Sequence, residues 1–215
     1  GLTSDGLNLA QVPQHLKGVT CFFCHTVDAV QGTHNNPLRL AEDLVLRGGL
    51  ADPYDQAAAH ASAYSPLHDR TRPESADLCG ACHDIVTANN VHLERTFLEW
   101  KESLLGQDGP ARLTCGQCHL TGRDGLAAAV DGAPTRRVHE HTMAGLDTAL
   151  IDWPDRDGQL AAIARDLNPA IQTRLCVGAA PGGVSVEVAL DNVLLGHMWP
   201  SGAAQDRRAW VELVA

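Results

Sequence analysis

The sequence predicts a mainly α fold in two parts, a helix and loop domain over residues 1–175 and the start of a β-strand unit over residues 176–215. Four segments of the first part carry helix start signals, helix stop signals or an apolar stripe at helical spacing. After residue 176 apolar and polar residues alternate, which is the period of a strand. These two observations set the predicted fold class and the boundary between the two parts.

The first two helices are predicted from the way they begin. The segment "NNPLRLAEDLVLRGG" has Asn36 as N-cap, Pro37 in the first helical position and Gly48 beyond its end. The segment "DPYDQAAAHASAY" starts in the same way, from Asp52 and Pro53. We therefore predict that both segments are helical.

The other two helices are predicted from apolar stripes. The segment "NVHLERTFLEWKESLLG" stops at Gly106, and "PDRDGQLAAIARDLNP" ends before Pro169. Residues three or four apart lie on one helix face, so the apolar side chains of each segment form one stripe. The stripes are Leu93, Phe97, Trp100 and Leu104 in the first segment and Leu160, Ile163, Ala164 and Leu167 in the second.

Two strands are predicted after residue 176. The segments "GVSVEVAL" and "RAWVELVA" both alternate, and the Gly- and Pro-rich turn "GHMWPSGAA" lies between them. Two strands alone do not form a stable sheet, and the second runs to Ala215. We expect the β unit to be incomplete, so that the polypeptide continues or the hairpin pairs with another subunit.

Three copies of the pattern C-x-x-C-H carry the chemistry of the first part. C-x-x-C alone is compatible with a zinc site, a redox dithiol or the attachment of haem. The copies are "TCFFCHTV" with Cys21, Cys24 and His25, "LCGACHD" with Cys79, Cys82 and His83, and "TCGQCHL" with Cys115, Cys118 and His119.

The histidine that follows each second cysteine favours haem. Neither a structural zinc site nor a redox dithiol needs a histidine at that position. Haem c needs all three residues, because two thiols add to the vinyl groups and the adjacent imidazole reaches the iron. With 11 histidines in 215 residues, three such placements by chance are improbable. The sequence therefore predicts three covalently bound haem c groups, with His25, His83 and His119 as proximal iron ligands.

The chain resembles the multihaem c-type cytochrome superfamily. The resemblance rests on "SADLCGACHDIV", "HLERTFLEWKESLLG" and "LTCGQCHL", and on "HEHTMAG" and "GHMWPSGAAQDRR". The last two resemble the recurring elements H-x-F-x-G and G-H-x-F-P-x-G, with Met143 and Trp199 in place of phenylalanine. The resemblance implies a helix and loop multihaem domain in which His141 and His197 are distal ligands. It also implies haem attachment outside the bacterial cytoplasm, so we expect a periplasmic or extracellular protein.

Distal iron ligands must come from the eight histidines outside the motifs. We expect His60 to be one, because Ala57, Ala61 and Tyr64 share its predicted helix face and small alanines would let a flat porphyrin approach. His141 and His197 are the other best candidates. Spacing does not decide which histidine serves which iron, and Met143 and Met198 are interpreted as packing residues. The reserve candidates are His34, His68 and His139.

The predicted function is electron transfer, with single electrons relayed through three haems that each carry two axial histidines. The protein is then not an enzyme. One alternative is a multihaem reductase or oxidase of a small nitrogen or sulfur substrate, which would need one open haem. Another is a structural or assembly component in which haem is mainly scaffold.

The net charge of −10 argues against nucleic acid and anionic lipid as partners. Other cytochromes or redox proteins are the expected partners, with further subunits of a larger complex or filament as an open alternative. No apolar run approaches the roughly 18 residues of a membrane span. Gly1 is interpreted as a mature or truncated start, since no initiator Met or signal peptide precedes it. Cys176, the one cysteine outside the motifs, is expected to be a buried, inert thiol.

Overall fold

The computed structural model describes residues 9–13, 18–54, 60–148 and 155–214. The predicted mainly α fold is wrong, because 23% of the chain is helix and 26% is strand, and the strands form five small sheets. The helices are α1 (Cys21–Thr26), α2 (Glu74–Cys82), α3 (Thr96–Glu102), α4 (Cys115–His119) and α5 (Arg156–Leu167), and short 3-10 turns occupy Leu9–Gln11 and Ala204–Asp206.

Among the described residues, ten strands form five two-stranded sheets, and the two strands of each sheet are neighbours in sequence. Four of the pairs are antiparallel, and β3 and β4 form the parallel one. The strands are β1 (Val27–Val30), β2 (Leu38–Leu40), β3 (Val45–Gly48), β4 (Ala61–Tyr64), β5 (Ile85–Val86), β6 (His92–Glu94), β7 (Gly122–Leu126), β8 (Thr135–His139), β9 (Ile171–Ala180) and β10 (Gly183–Asn192).

The first two predicted helices do not form where the structure describes them. Asn36 is not an N-cap but has a left-handed φ of 59°, and its N–H donates to the carbonyl of Ala81. The residues after it form β2 and β3. In the second segment, residues 61–64 form β4 instead of helix, while residues 55–59 lie outside the described residues. Tertiary pairing has overridden the local start signals in both places.

The third predicted helix is shorter than its stripe, and the fourth is confirmed. Helix α3 covers only Thr96–Glu102, since β6 occupies the predicted start and Leu104 lies beyond the end with 74% of its surface exposed. Helix α5 ends at Leu167, before Pro169, as predicted. Its Ile163 packs against Ala144 in a small buried cluster.

One of the two strands predicted after residue 176 forms, and the other does not. Strand β10 is confirmed, but no strand forms over residues 207–214. The partner of β10 is β9, which was not predicted and which already begins at Ile171. Cys176 lies in β9 opposite Glu187 and is exposed, so the expected buried thiol is also wrong.

A small aromatic core connects the second and third motifs. Phe97 and Trp100 of α3 stack with ring centroids 5.7 Å apart and bury Ala76 of α2, and Cys115 packs against this cluster. The indole N–H of Trp100 donates to the carbonyl of Leu113 over 2.8 Å, just before α4. The core therefore fixes α2, α3 and α4 relative to one another. Among the described residues, no helix has the length and apolar character needed to cross a membrane.

Candidate functional site

Each C-x-x-C-H motif lies in or at the end of a short helix. Helix α1 starts at Cys21 and is capped by Thr20, whose hydroxyl accepts from the N–H of Phe23. Helix α4 starts at Cys115 with a capping box between Thr114 and Gln117. Residues three apart in a helix share a face, so the two thiols of a motif lie on one side. None of the seven cysteines forms a disulfide.

The histidine of every motif is oriented through Nδ1. His25 Nδ1 donates to the carbonyl of Arg47 over 2.5 Å, and His119 Nδ1 donates to that of Ala144 over 3.2 Å. His83 differs, because its Nδ1 lies 2.9 Å from a carboxylate oxygen of Glu94. Carbonyl and carboxylate oxygens only accept, so Nδ1 carries the proton and Nε2 keeps its lone pair for a metal.

Two further histidines lie close to the histidines of the first and third motifs. The ring centroids of His25 and His141 are 6.2 Å apart with planes tilted by 52°, and those of His119 and His197 are 6.5 Å apart with planes 16° from parallel. A metal–imidazole bond of about 2.0 Å, with the ring centre about 1.1 Å further on, puts the centroids of two opposite ligands about 6.2 Å apart. Both pairs match the separation of two imidazoles on one iron.

His197 is held in place by its own loop and by α3. Its Nδ1 donates to the carbonyl of Met198 over 2.9 Å, which leaves Nε2 free. The carboxylate of Glu99 accepts from the N–H of Met198 over 3.1 Å and from the hydroxyl of Ser201 over 2.6 Å. The N–H of Gly202 donates to the Thr96 hydroxyl over 3.0 Å. The loop after β10 is therefore fastened to the helix that carries the aromatic core.

His68 is close to His25 but is bonded differently. Their ring centroids are 5.4 Å apart and the planes are 20° from parallel. Nε2 of His68 donates to the carbonyl of Cys24 over 2.8 Å, so the nitrogen that usually binds iron is already used. Burial lowers the pKa of His68, which favours the neutral ring. These contacts indicate that His68 stabilises the first motif by packing and hydrogen bonding.

The three other histidines predicted as distal ligands, His60, His34 and His139, do not lie close to a motif histidine. His60 is exposed, with its Nδ1 3.2 Å from the Ser62 hydroxyl, and the helix face expected to carry it is replaced by β4 at its C-terminal end. His34 is exposed and its Nδ1 lies 3.1 Å from the Thr33 hydroxyl. His139 belongs to β8, and burial lowers its pKa. No short ring-to-ring distance supports an axial role for these three.

The cysteines of the three motifs lie near one another. The Cys115 thiol donates to Cys79, which raises the pKa of Cys115 and lowers that of Cys79. Burial raises the pKa of Cys24, and the nearby Cys82 and Cys79 raise it further. The cysteines of the first and second motifs are thus neighbours, and Cys79 of the second is in contact with Cys115 of the third.

Two loops that the sequence analysis did not identify hold the motifs together. The N–H groups of Asn35 and Asn36 donate to Asp84 and Ala81 in and after the second motif, over 3.0 and 2.6 Å. The guanidinium of Arg70 donates to the carbonyls of the third motif, and Thr114 donates back to the Arg70 carbonyl. These contacts are between residues far apart in sequence, and no local pattern signals them.

The side chains fit haem c in each motif, with two thiols free of disulfides and an imidazole whose Nε2 is available. Among the residues that the structure describes, no group of three or more His, Cys, Asp or Glu side chains is arranged to hold a metal ion. A haem iron takes four ligands from its porphyrin and only the axial ones from protein, so facing imidazole pairs are the relevant arrangement. Comparison with protein-family models, curated proteins and solved structures finds no match for this chain.

Proposed function

We propose that this chain is a multihaem c-type cytochrome that relays single electrons through three covalently attached haems and catalyses no reaction of its own. Two close pairs of imidazoles support the proposal most directly, because the ring centroids are 6.2 Å apart for His25 and His141 and 6.5 Å apart for His119 and His197. Haem iron with two axial imidazoles supplies one-electron chemistry and has no free position for a substrate.

The axial pairs follow from the same geometry. We assign His141 to the iron of the first motif and His197 to the iron of the third. In both pairs the proximal Nδ1 is bonded to a backbone carbonyl, which fixes the ring and directs Nε2 away from the chain. The hydrogen bonds that fasten the His197 loop to Glu99 and Thr96 give the third site a ligand with little freedom to move.

The closeness of the three motifs supports a relay. The thiols of Cys79 and Cys115 are in contact, and Cys24 lies near the second motif, so no attachment point is isolated from the others. The backbone N–H groups of Asn35 and Asn36 and the guanidinium of Arg70 hold the motifs together by hydrogen bonds. A rigid scaffold is what single-electron transfer requires, since the protein's contribution is binding, orientation and tuning.

The location and the partners that we propose follow from haem attachment and from the net charge. Haem c is attached outside the bacterial cytoplasm, so we propose a periplasmic or extracellular location. The net charge of −10 favours redox partners, such as other cytochromes, that present basic surfaces.

Spectroscopy of the purified holoprotein tests the proposal. The visible spectrum is recorded in oxidised and reduced states, and the reduced protein is then exposed to carbon monoxide. We expect low-spin haem that cycles reversibly and does not bind carbon monoxide at any of the three sites. High-spin haem or carbon monoxide binding at any site would contradict the proposal and favour a reductase with one open haem.

A further inference from the structure

We infer that Glu94 gives the haem of the second motif the most negative midpoint potential of the three, by accepting a hydrogen bond from the proximal His83. The inference rests on the proposed function. It starts from one difference between the motifs: His25 and His119 donate to neutral backbone carbonyls, whereas His83 donates to a carboxylate.

The backbone builds this contact. Helix α2 ends at Cys82, and the chain passes through His83 directly into β5, where Ile85 pairs with Glu94 of β6. Because Ile85 follows His83 by two residues, this pairing brings Glu94 close to the end of α2, where its side chain reaches the His83 ring. The carbonyl of His83 also accepts from the N–H of Phe97 over 3.1 Å, which ties the motif to the start of α3.

The carboxylate is positioned to act strongly on the ring. The side chain of Glu94 is only 19% exposed, and its Oε1 lies 2.9 Å from Nδ1 of His83. A charged acceptor draws the Nδ1 proton toward itself and increases the negative charge on the imidazole. A more basic axial ligand stabilises ferric over ferrous iron, so the midpoint potential falls.

The neighbouring charges do not offset this effect. The residue after His83 is Asp84, whose buried carboxylate lies 3.0 Å from Arg95 in an ion pair of its own. Those two charges balance each other, and Glu94 remains as the negative charge in contact with the proximal ring. The first and third motifs have no carboxylate at the corresponding position, because their Nδ1 partners are the carbonyls of Arg47 and Ala144.

Potentiometric titration of the wild-type protein and of Glu94→Gln tests the inference. Glutamine keeps the size and an acceptor oxygen but removes the charge. We expect the wild type to show one component below the other two, and Glu94→Gln to move that component to a more positive potential while the other two stay. Glu102→Gln, which neutralises an exposed carboxylate at the end of α3, is the control and should leave all three in place.

Three outcomes would overturn the inference: a wild type with three equal potentials, a Glu94→Gln variant whose lowest component does not move, or equal shifts of all components in Glu94→Gln and Glu102→Gln. The wild-type titration applies even if Glu94→Gln does not fold. The haem content separates this inference from the proposed function. Fewer than three haems contradicts the function, whereas three haems with an unmoved lowest component contradicts only the role of Glu94.

Discussion

The imidazoles of His119 and His197 lie nearly parallel, 16° apart, with their ring centroids separated by 6.5 Å. They are too far apart for a hydrogen bond with each other, yet each has its Nδ1 bonded to a backbone carbonyl. Burial also lowers the pKa of His119, so its ring is neutral at pH 7 and able to bind a metal. The separation of the ring centroids is close to the value of about 6.2 Å expected for two imidazoles bound to one metal ion.

Replacing His197 with alanine should open the third haem. We expect one of the three haems to become high-spin and to bind carbon monoxide in the reduced state, because its sixth ligand is lost. His141→Ala should do the same at the first haem, and the double variant should open two. The measurement is the visible and electron paramagnetic resonance spectrum of each purified variant.

The matched control is His68→Ala, which removes a ring that is also close to His25 but whose Nε2 is bonded to the Cys24 carbonyl. We expect its haems to stay low-spin, with a loss of stability of about 1 kcal/mol for the missing hydrogen bond. A high-spin signal in His68→Ala together with an unchanged His141→Ala would show that His68, and not His141, is the distal ligand.

Glu99→Ala should loosen the loop that carries His197. The change removes the acceptor of the Met198 N–H and of the Ser201 hydroxyl, and we expect a loss of about 1–3 kcal/mol in the free energy of unfolding. A fraction of the third haem should become high-spin as its ligand gains freedom. Denaturant unfolding followed by haem absorbance measures both effects. Full stability and a fully low-spin spectrum would contradict the fastening role of Glu99.

Gly80→Ala should disturb the joint between α2 and α3. A Cβ at this position would stand 2.3 Å from the Phe97 ring, so the aromatic core would have to shift. Overpacking of this kind costs about 1–3 kcal/mol. Gly48→Ala is the control, since a Cβ there meets nothing within 4 Å. Equal melting temperatures for the two variants would show that the contact between Gly80 and Phe97 is not tight.

The ion pair between Asp147 and Arg207 should make part of the stability depend on pH. Two hydrogen bonds of 2.7 and 2.6 Å join the side chains, and the Arg207 guanidinium lowers the pKa of Asp147 below its usual value near 4. The contribution is therefore present above pH 4 and is lost as the pH falls through the lower folded-state pKa.

Asp147→Asn is the variant that reports on this pair. Because Asp147 is largely exposed, we expect Asp147→Asn to cost no more than about 1 kcal/mol at pH 7, and the difference from wild type should be smaller at pH 3. Urea unfolding at the two pH values measures it. A difference that persists unchanged at pH 3 would mean that the charge of Asp147 is not its source.

The sequence predicted local features well where the residues themselves decide the structure. Helix α5 and strand β10 have strong periodicity and form as expected. The segment after Asn36 has equally good helix signals but forms β2 and β3, because Asn35 and Asn36 are used to dock on the second motif. Strand β9 was missed since "IQTRLCVGAA" alternates poorly and is specified by its pairing with β10.

The sequence predicted which residues belong to the candidate site but not which histidines lie close to one another. The C-x-x-C-H spacing identifies locally the cysteines and histidines that we propose to hold haem. His197 comes close to His119 through a loop that Glu99 and Thr96 hold by hydrogen bonds, and no sequence spacing encodes these contacts. For the same reason the contact between Glu94 and His83 and the brace from Arg70 were not anticipated.

The most direct test of the central claim is the intact mass of the protein expressed with a haem c maturation system, measured under denaturing conditions that remove any group not covalently bound. The account predicts the mass of the polypeptide plus three haems, and loss of one haem when both Cys115 and Cys118 are replaced by alanine. A mass equal to that of the bare chain, or stoichiometric zinc in the native protein instead of haem iron, would contradict it.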